Sequence, residues 1–324
     1  MTDKKFFWGI CGWLFCLMLI FMVAVRWLDP MTYMDNEYAS WRQQKDYIQG
    51  NGQPARVLFL GDSIFQASVM PEALGDDVRV LALGGATAIE MNYALQEYLK
   101  HYPKPEKVFM AFSPLHYANM ESYRSRDLYF HYLPCRQVVD SQLEIYKRDK
   151  LPWFQYVPDM AEDMEYMLRL PTKYFRTIFD SRLSRGDFNR EQYETIRQAK
   201  GHRYFGLSQD WHHSYQPYVG WLQPFETLGS IDYYLRDIIS VCQNNGIQLY
   251  IVQAPMHNLD YELIKQSGYL HDFQQYMEKL AQETGVPVEI TPPAYEVNLF
   301  GDNLHVNQMG ALAYSQNLKV RYDP

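Results

Sequence analysis

The sequence predicts a doubly wound α/β fold: a mainly parallel five-stranded sheet, a helical insertion within it, and one apolar helix before it. Three observations carry this. Short apolar runs at residues 56–60, 78–83, 107–112, 247–252 and 286–290 alternate with stretches of helical period. Runs 56–60, 78–83 and 107–112 stop at Gly61, Gly84 and Ser113, and runs 247–252 and 286–290 reach a proline within three residues. Residues 115–229, rich in Tyr, Arg, Asp and Met, hold no clear strand and stand outside the sheet.

In chain order, Lys4 and Lys5 precede residues 6–25, which carry no charge. Twenty residues at about 1.5 Å each span about 30 Å, the thickness of a bilayer core. Trp8 and Trp27 mark the ends, and Arg26 follows. The basic bias favours an amino terminus inside and the remainder outside. Residues 1–28 are therefore expected to be a single uncleaved anchor in the cytoplasmic (inner) membrane. The run is long for a signal peptide, and Val23-Ala24-Val25-Arg26 is a poor cleavage site. Residues 29–54, with Pro30 and a closing Gly50-Asn51-Gly52, read as a stalk or short helix.

Residues 55–324 form the folded domain. Strand 56–60 leads into Gly61-Asp62-Ser63, and strand 78–83 into Gly84-Gly85. A helix over 86–102 carries Ala88, Met91, Leu95, Tyr98 and Leu99 on or near one stripe and stops at Pro103. Strand 107–112 ends at Ser113-Pro114. Within the insertion, 158–168 and 187–200 read as helices, the second closed by Gly201. Ser230 is placed to cap a helix whose Ile231, Tyr234, Leu235, Ile238, Ile239 and Cys242 share one face, with Gly246 as its stop. Strand 247–252, helix 271–284, strand 286–290, loop 299–306 and a final helix capped by Asn307 through about residue 318 complete the pattern.

Composition excludes some functions. With 47% hydrophobic and 21% charged residues, the 324-residue chain is an ordinary folded protein. A net charge of −8 argues against nucleic acid as a partner. Cys11 and Cys16 fall in the apolar run; Cys135 and Cys242 are isolated, and free thiols are the default reading, with a pairing between them left open. His212-His213, with His202 and Asp210 near, lack a ligand spacing, because adjacent histidines diverge in regular structure. No metal and no cofactor are expected. Tyr215, Tyr218, Trp211 and Trp221 read first as packing residues, with a sugar-stacking groove or a membrane-facing collar as the alternatives.

In doubly wound sheets the working site lies beyond the carboxyl ends of the strands. Ser63, Gly84-Gly85, residues 113–116, residues 255–257 and the Asp302/His305 loop all follow strands, so they should share one edge. A serine hydroxyl needs a base to act as a nucleophile; His305 can take its proton, and Asp302 can hold the imidazole tautomer. The N–H groups of Ser63 and of Gly84 or Gly85 are candidates for the oxyanion hole. Asp62, Ser113, His116 and His257 are candidate substrate-binding residues on that edge. The bland alternative is that Ser63 merely starts a helix and Asp62 is a turn residue.

Gly61-Asp62-Ser63, the glycine turn after the second strand and Asp302-x-x-His305 near the carboxyl end resemble the SGNH/GDSL hydrolase superfamily. The resemblance spans roughly residues 56–113 and 230–318. It implies a Ser63–His305–Asp302 triad. In place of the Gly-x-Asn-Asp that usually follows the third strand, this chain has Ala111-Phe112-Ser113-Pro114-Leu115-His116-Tyr117. That puts the third side-chain donor in doubt and resembles a membrane-anchored branch of DltD-like and polysaccharide O-acetylation proteins. The branch implies an acyl esterase or O-acyltransferase, an acylated cell-envelope glycan or teichoic-acid-like polymer as partner, and a membrane-bound O-acyltransferase beside it. The alternative is a non-catalytic module that docks such an acyltransferase or holds the polymer.

Overall fold

In a computed structural model, which describes residues 3–120, 122–206 and 211–324, four parallel strands form the central sheet. They are β1 (Val57–Gly61), β2 (Val78–Val80), β3 (Lys107–Ala111) and β4 (Gln248–Ile251), in the order β2-β1-β3-β4. Because side chains alternate along a strand, Leu58, Leu60, Val108 and Met110 enter one core while Val57, Phe59, Phe109 and Ala111 enter another. Both faces are covered, which explains the unbroken apolar runs.

The expected fifth strand is reduced to one parallel bridge, Ile251 to Val288. Pro287 has no N–H to give, and Pro292 and Pro293 follow closely. The chain instead forms a separate two-stranded parallel ribbon, β5 (Met256–His257) with β6 (Ala294–Tyr295). The second strand is also shorter than expected, yet Leu81 N–H and Leu83 N–H still donate to Phe59 O (2.7 Å) and Gly61 O (3.0 Å). Its outer edge is closed by Val80 N–H to Lys200 O (3.0 Å) and by the Gln44 amide donating to Val80 O (2.8 Å).

The main helices are α1 (Asp3–Trp27), α2 (Tyr38–Ile48), α3 (Ser63–Ser68), α4 (Ala88–His101), α5 (Cys135–Arg148), α6 (Trp153–Met167), α7 (Pro171–Ser181), α8 (Gly186–Gln198), α9 (Gly229–Asn245), α10 (Asn258–Ser267), α11 (Tyr269–Thr284) and α12 (Gln308–Tyr322). Helix α1 is long and apolar enough to cross a bilayer. Residues 29–54 are not a free stalk: Tyr33, Met34, Trp41, Tyr47 and Ile48 are buried in the main core. Helix α4 opens on a capping box between Thr87 and Glu90. Helix α6 starts five residues before the expected boundary and carries Pro158 inside it.

Helix α9 departs from expectation at its start. Ser230 lies inside the helix and is itself held by Asp149 of the insertion, which accepts from Ser230 N–H (2.8 Å) and Oγ–H (2.7 Å). Asn307 caps α12 as expected, accepting from Met309 N–H (3.0 Å) and Gly310 N–H (3.1 Å). All four cysteines are free; Cys135 is exposed, whereas Cys242 is buried and its thiol is pushed up to about 12 by burial.

Candidate functional site

Ser63 stands at the first residue of α3, where β1 ends against the backbone of β3. A Cβ on Gly61 would lie 2.0 Å from Ala111 O, so only glycine lets the two strand ends approach this closely. The turn is then fixed by Asp62. Its Oδ1 accepts from Ile64 N–H (3.0 Å) and Phe65 N–H (3.3 Å), capping the helix that Ser63 begins. Its Oδ2 accepts from Ser113 N–H (2.5 Å) and faces His116 Nδ1 at 2.6 Å. Asp62 is fully buried, so it does not reach a substrate. Its carboxylate ties β1, α3 and the turn after β3 into one unit.

The partner loop precedes α12. His305 Nε2 lies 2.8 Å from Ser63 Oγ, and His305 Nδ1 lies 2.9 Å from Asp302 Oδ2 and 3.0 Å from Oδ1. Asp302 Oδ1 also accepts from Leu304 N–H (2.8 Å) and His305 N–H (2.7 Å). Burial works to raise the Asp302 pKa. The His305 hydrogen bond and charge and the two backbone donors outweigh it, and hold the carboxyl below its usual range. An ionised Asp302 accepts a hydrogen bond from Nδ1–H, which leaves the Nε2 lone pair facing the serine hydroxyl. This arrangement can draw the hydroxyl proton as Ser63 attacks an acyl carbon.

Gly84 and Gly85, expected as oxyanion donors, lie in the turn that follows β2. Leu83 to Ala86 forms a turn closed by Ala86 N–H to Leu83 O (3.1 Å), with Gly85 at a positive φ of 72°. A Cβ on Gly85 would fall 2.1 Å from Ser122 Oγ. Among the described residues, no acceptor takes the N–H of Ser63, Gly84 or Gly85.

His257 lies on the wall of the apolar pocket beside the serine and is held from behind. It is buried, its Nδ1 accepts from Asp260 N–H (3.1 Å), and its Nε2 lies 2.9 Å from Asn303 O. The first bond fixes the tautomer, so Nε2–H donates to the carbonyl inside the Asp302–His305 loop. Asp260 is held in turn by Tyr215 O–H (2.5 Å). Trp211 and Tyr215, both in the insertion, pack their rings on His257 with centroids at 5.1 Å and 5.3 Å.

Several residues at the site carry no sequence signal. The Phe205 ring stacks on His305, with centroids 4.4 Å apart and planes 18° from parallel. Gly206 follows it, and a Cβ there would lie 2.5 Å from Asp302 Cβ and from Gly301 O. Residues 203–206 of the insertion are thus a strap across the triad. Glu37, before α2, stands over Gly84 and is paired with Arg126 (2.5 Å). Only long-range contacts bring these groups together, and no local pattern records them.

Beside the serine lies a small, mostly apolar pocket of about 20 Å³, lined by Ile64, Phe112, Pro114, Met256 and Leu304, with Ser113, Asn303, Trp221 and His257 on its wall. The Trp221 indole N–H is buried and has no partner among the described residues. Of the histidines considered as ligands, His202 is buried with Nδ1 3.0 Å from Gln66 O, and Asp210 lies outside the described residues. Among the described residues, no three His, Cys, Asp or Glu side chains converge as metal ligands.

The model of an uncharacterised protein family matches residues 224–321, a stretch that contains Asp302 and His305 but not Ser63. No curated protein matches the chain.

Proposed function

We propose that this chain is a membrane-anchored serine acyl esterase or O-acyltransferase of the SGNH type, working outside the cytoplasm on an acylated cell-envelope polysaccharide or teichoic-acid-like polymer. The observation that carries the reading is the continuous Ser63–His305–Asp302 hydrogen-bond chain at the carboxyl edge of a parallel sheet. Ser63 Oγ attacks the acyl carbon while His305 Nε2 takes its proton. The oxyanion is received by the N–H of Ser63 and of the Gly84-Gly85 turn. His305 returns the proton to the leaving alcohol or thiol, and an acyl-serine remains. Water or a glycan hydroxyl then attacks, His305 takes the proton of that group and passes it to Ser63 Oγ as the acyl–oxygen bond breaks. The apolar lining of the small neighbouring pocket suits the methyl of an acetyl-sized group.

A fluorophosphonate probe tests the nucleophile. Ser63 should be labelled in the full chain and Ser63→Ala should not; equal labelling of the two removes Ser63 from this role.

A second reading is favoured by one observation. Ser113 N–H is spent on Asp62, so the turn after β3 offers no donor from that amide. In this reading the fold docks a membrane-bound O-acyltransferase or holds the polymer without reacting. Full restoration of polymer acylation by Ser63→Ala in a deletion strain would favour it over catalysis.

A further inference from the structure

We propose that α7 is an interfacial helix that immerses Phe175 and Phe179 in the lipid bilayer beside the exit of α1, so that the domain rests on the membrane at a fixed height. The proposal depends on the reading of α1 as a membrane span. Phe175 and Phe179 are one turn apart, 56% and 70% exposed, with parallel rings at 6.0 Å. The other side of α7 is held by the domain. Tyr174 is buried and donates to Tyr129 O (2.8 Å), and Thr177 Oγ1–H donates to Tyr33 O (3.1 Å). These bonds fix the rotation of the helix, so the two phenylalanines cannot turn inward.

What covers them follows from the contact with α1. The Phe175 ring lies 6.1 Å from that of Phe21. Phe21 precedes Val25, the end of the uncharged run, by four residues, or about 6 Å of helix. If α1 spans the bilayer, Phe175 therefore shares a level inside the hydrocarbon edge. The domain also grips the exit of the span: Val25 is buried, and Arg169 Nη1–H donates to Val25 O (3.3 Å). Ile20 and Val23 of α1 are exposed, so lipid that covers this helix reaches Phe175 directly. Arg26, Arg176 and Arg182 are exposed close by in the chain, Arg176 in a loose pair with Asp180 (3.4 Å). Aromatics on one side with guanidinium groups beside them is the composition of a helix lying in the headgroup layer.

The test uses the full chain, reconstituted in vesicles of phosphatidylcholine and phosphatidylglycerol. Replacing Cys11, Cys16 and Cys135 by Ser leaves only the buried Cys242. Single cysteines at Phe175→Cys, Phe179→Cys, Val23→Cys and Val320→Cys are then labelled with an environment-sensitive nitrobenzoxadiazole dye. Val320 is the water-facing control, on α12 and thus on the sheet face opposite the core that holds Val25. Lipids bearing a doxyl quencher should quench positions 175, 179 and 23 at least about twofold more than position 320. Quenching at 23 without quenching at 175 and 179 overturns the proposal and leaves the span intact. Labels at 175 and 179 shielded from both lipid quencher and aqueous iodide mean that protein, a second copy or a partner, covers α7, and this also overturns it. No lipid quenching at position 23 refutes the span itself, and the proposal falls with it.

Discussion

His305 Nε2 meets Ser63 Oγ at 2.8 Å across 242 residues of sequence. The bond joins the first residue of α3 to the loop before α12, so both halves of the sheet must be in place before it exists. Ser63→Ala and His305→Ala should each lower hydrolysis of a small acyl ester by about 10³- to 10⁶-fold, and Asp302→Asn by about 10²- to 10⁴-fold. Thermal melts should barely move, because Ser63 and His305 are only partly buried. Steady-state kinetics on the detergent-solubilised chain would check this, and wild-type rates in His305→Ala would discard the triad.

His257 never touches Ser63, yet it holds the carbonyl of Asn303 inside the triad loop. His257→Ala removes that donor and the cap on Asp260 N–H. We expect about 1–3 kcal/mol of lost stability from the orphaned buried groups. We also expect kcat to fall by about tenfold, since a loosened loop misplaces the base, with a smaller rise in KM because His257 also lines the pocket. An unfolding curve and a kcat/KM split measure this, and a loss confined to KM would make His257 a substrate contact rather than a positioning residue.

How much of this was legible depends on where the signal lay. The strand ends were readable because Leu58, Leu60, Val108 and Met110 are buried on one face and Phe59 and Phe109 on the other, leaving no polar interruption. The stripe of α9 was readable for the same reason, although its start was not: Asp149, far away in sequence, holds Ser230. That α2 packs into the core, rather than standing as a stalk, was hidden by Gln43 and Gln44, polar residues that are buried, Gln44 because it covers the edge of β2. Helix α10 was hidden because its cap is a histidine, an uncommon capping residue. Ser63, Asp302 and His305 form short local motifs, while Phe205, Gly206 and Glu37 reach the site only through the fold.

Gly206 offers a sharper test of the strap. A Cβ there would fall 2.5 Å from both Asp302 Cβ and Oδ2, well inside van der Waals contact. Gly206→Ala must push residues 203–206 off the triad or displace Asp302. Activity should fall by about 10- to 100-fold while the melting temperature changes by only a few degrees, because the contact lies at the domain surface. Phe205→Leu, which keeps bulk over the His305 ring, should be milder. Unchanged turnover in Gly206→Ala would show that the strap can lift without cost to the triad.

Acid sensitivity should trace to His131. Burial, and then the positive charges of Arg169, Lys45 and Arg26, push its pKa down from 6.5 to about 3. Arg169 Nε–H donates to its Nε2 (3.0 Å), a bond that protonation would break. In the unfolded chain the imidazole takes a proton below about 6.5, whereas in the folded chain it stays neutral to about 3. The unfolded state therefore binds more protons across this window. The contribution of His131 is fully present above pH 6.5 and is lost progressively as pH falls toward 3, by at most about 1.4 kcal/mol per pH unit. Asparagine tolerates the positive φ of 55° at this position and does not titrate. His131→Asn should be less stable at pH 7, by about 1–3 kcal/mol for the lost acceptor, but flatter between pH 6.5 and 4.5. Urea midpoints of the two proteins at pH 7, 6 and 5 would measure it, and parallel losses in both would assign the acid sensitivity to other groups.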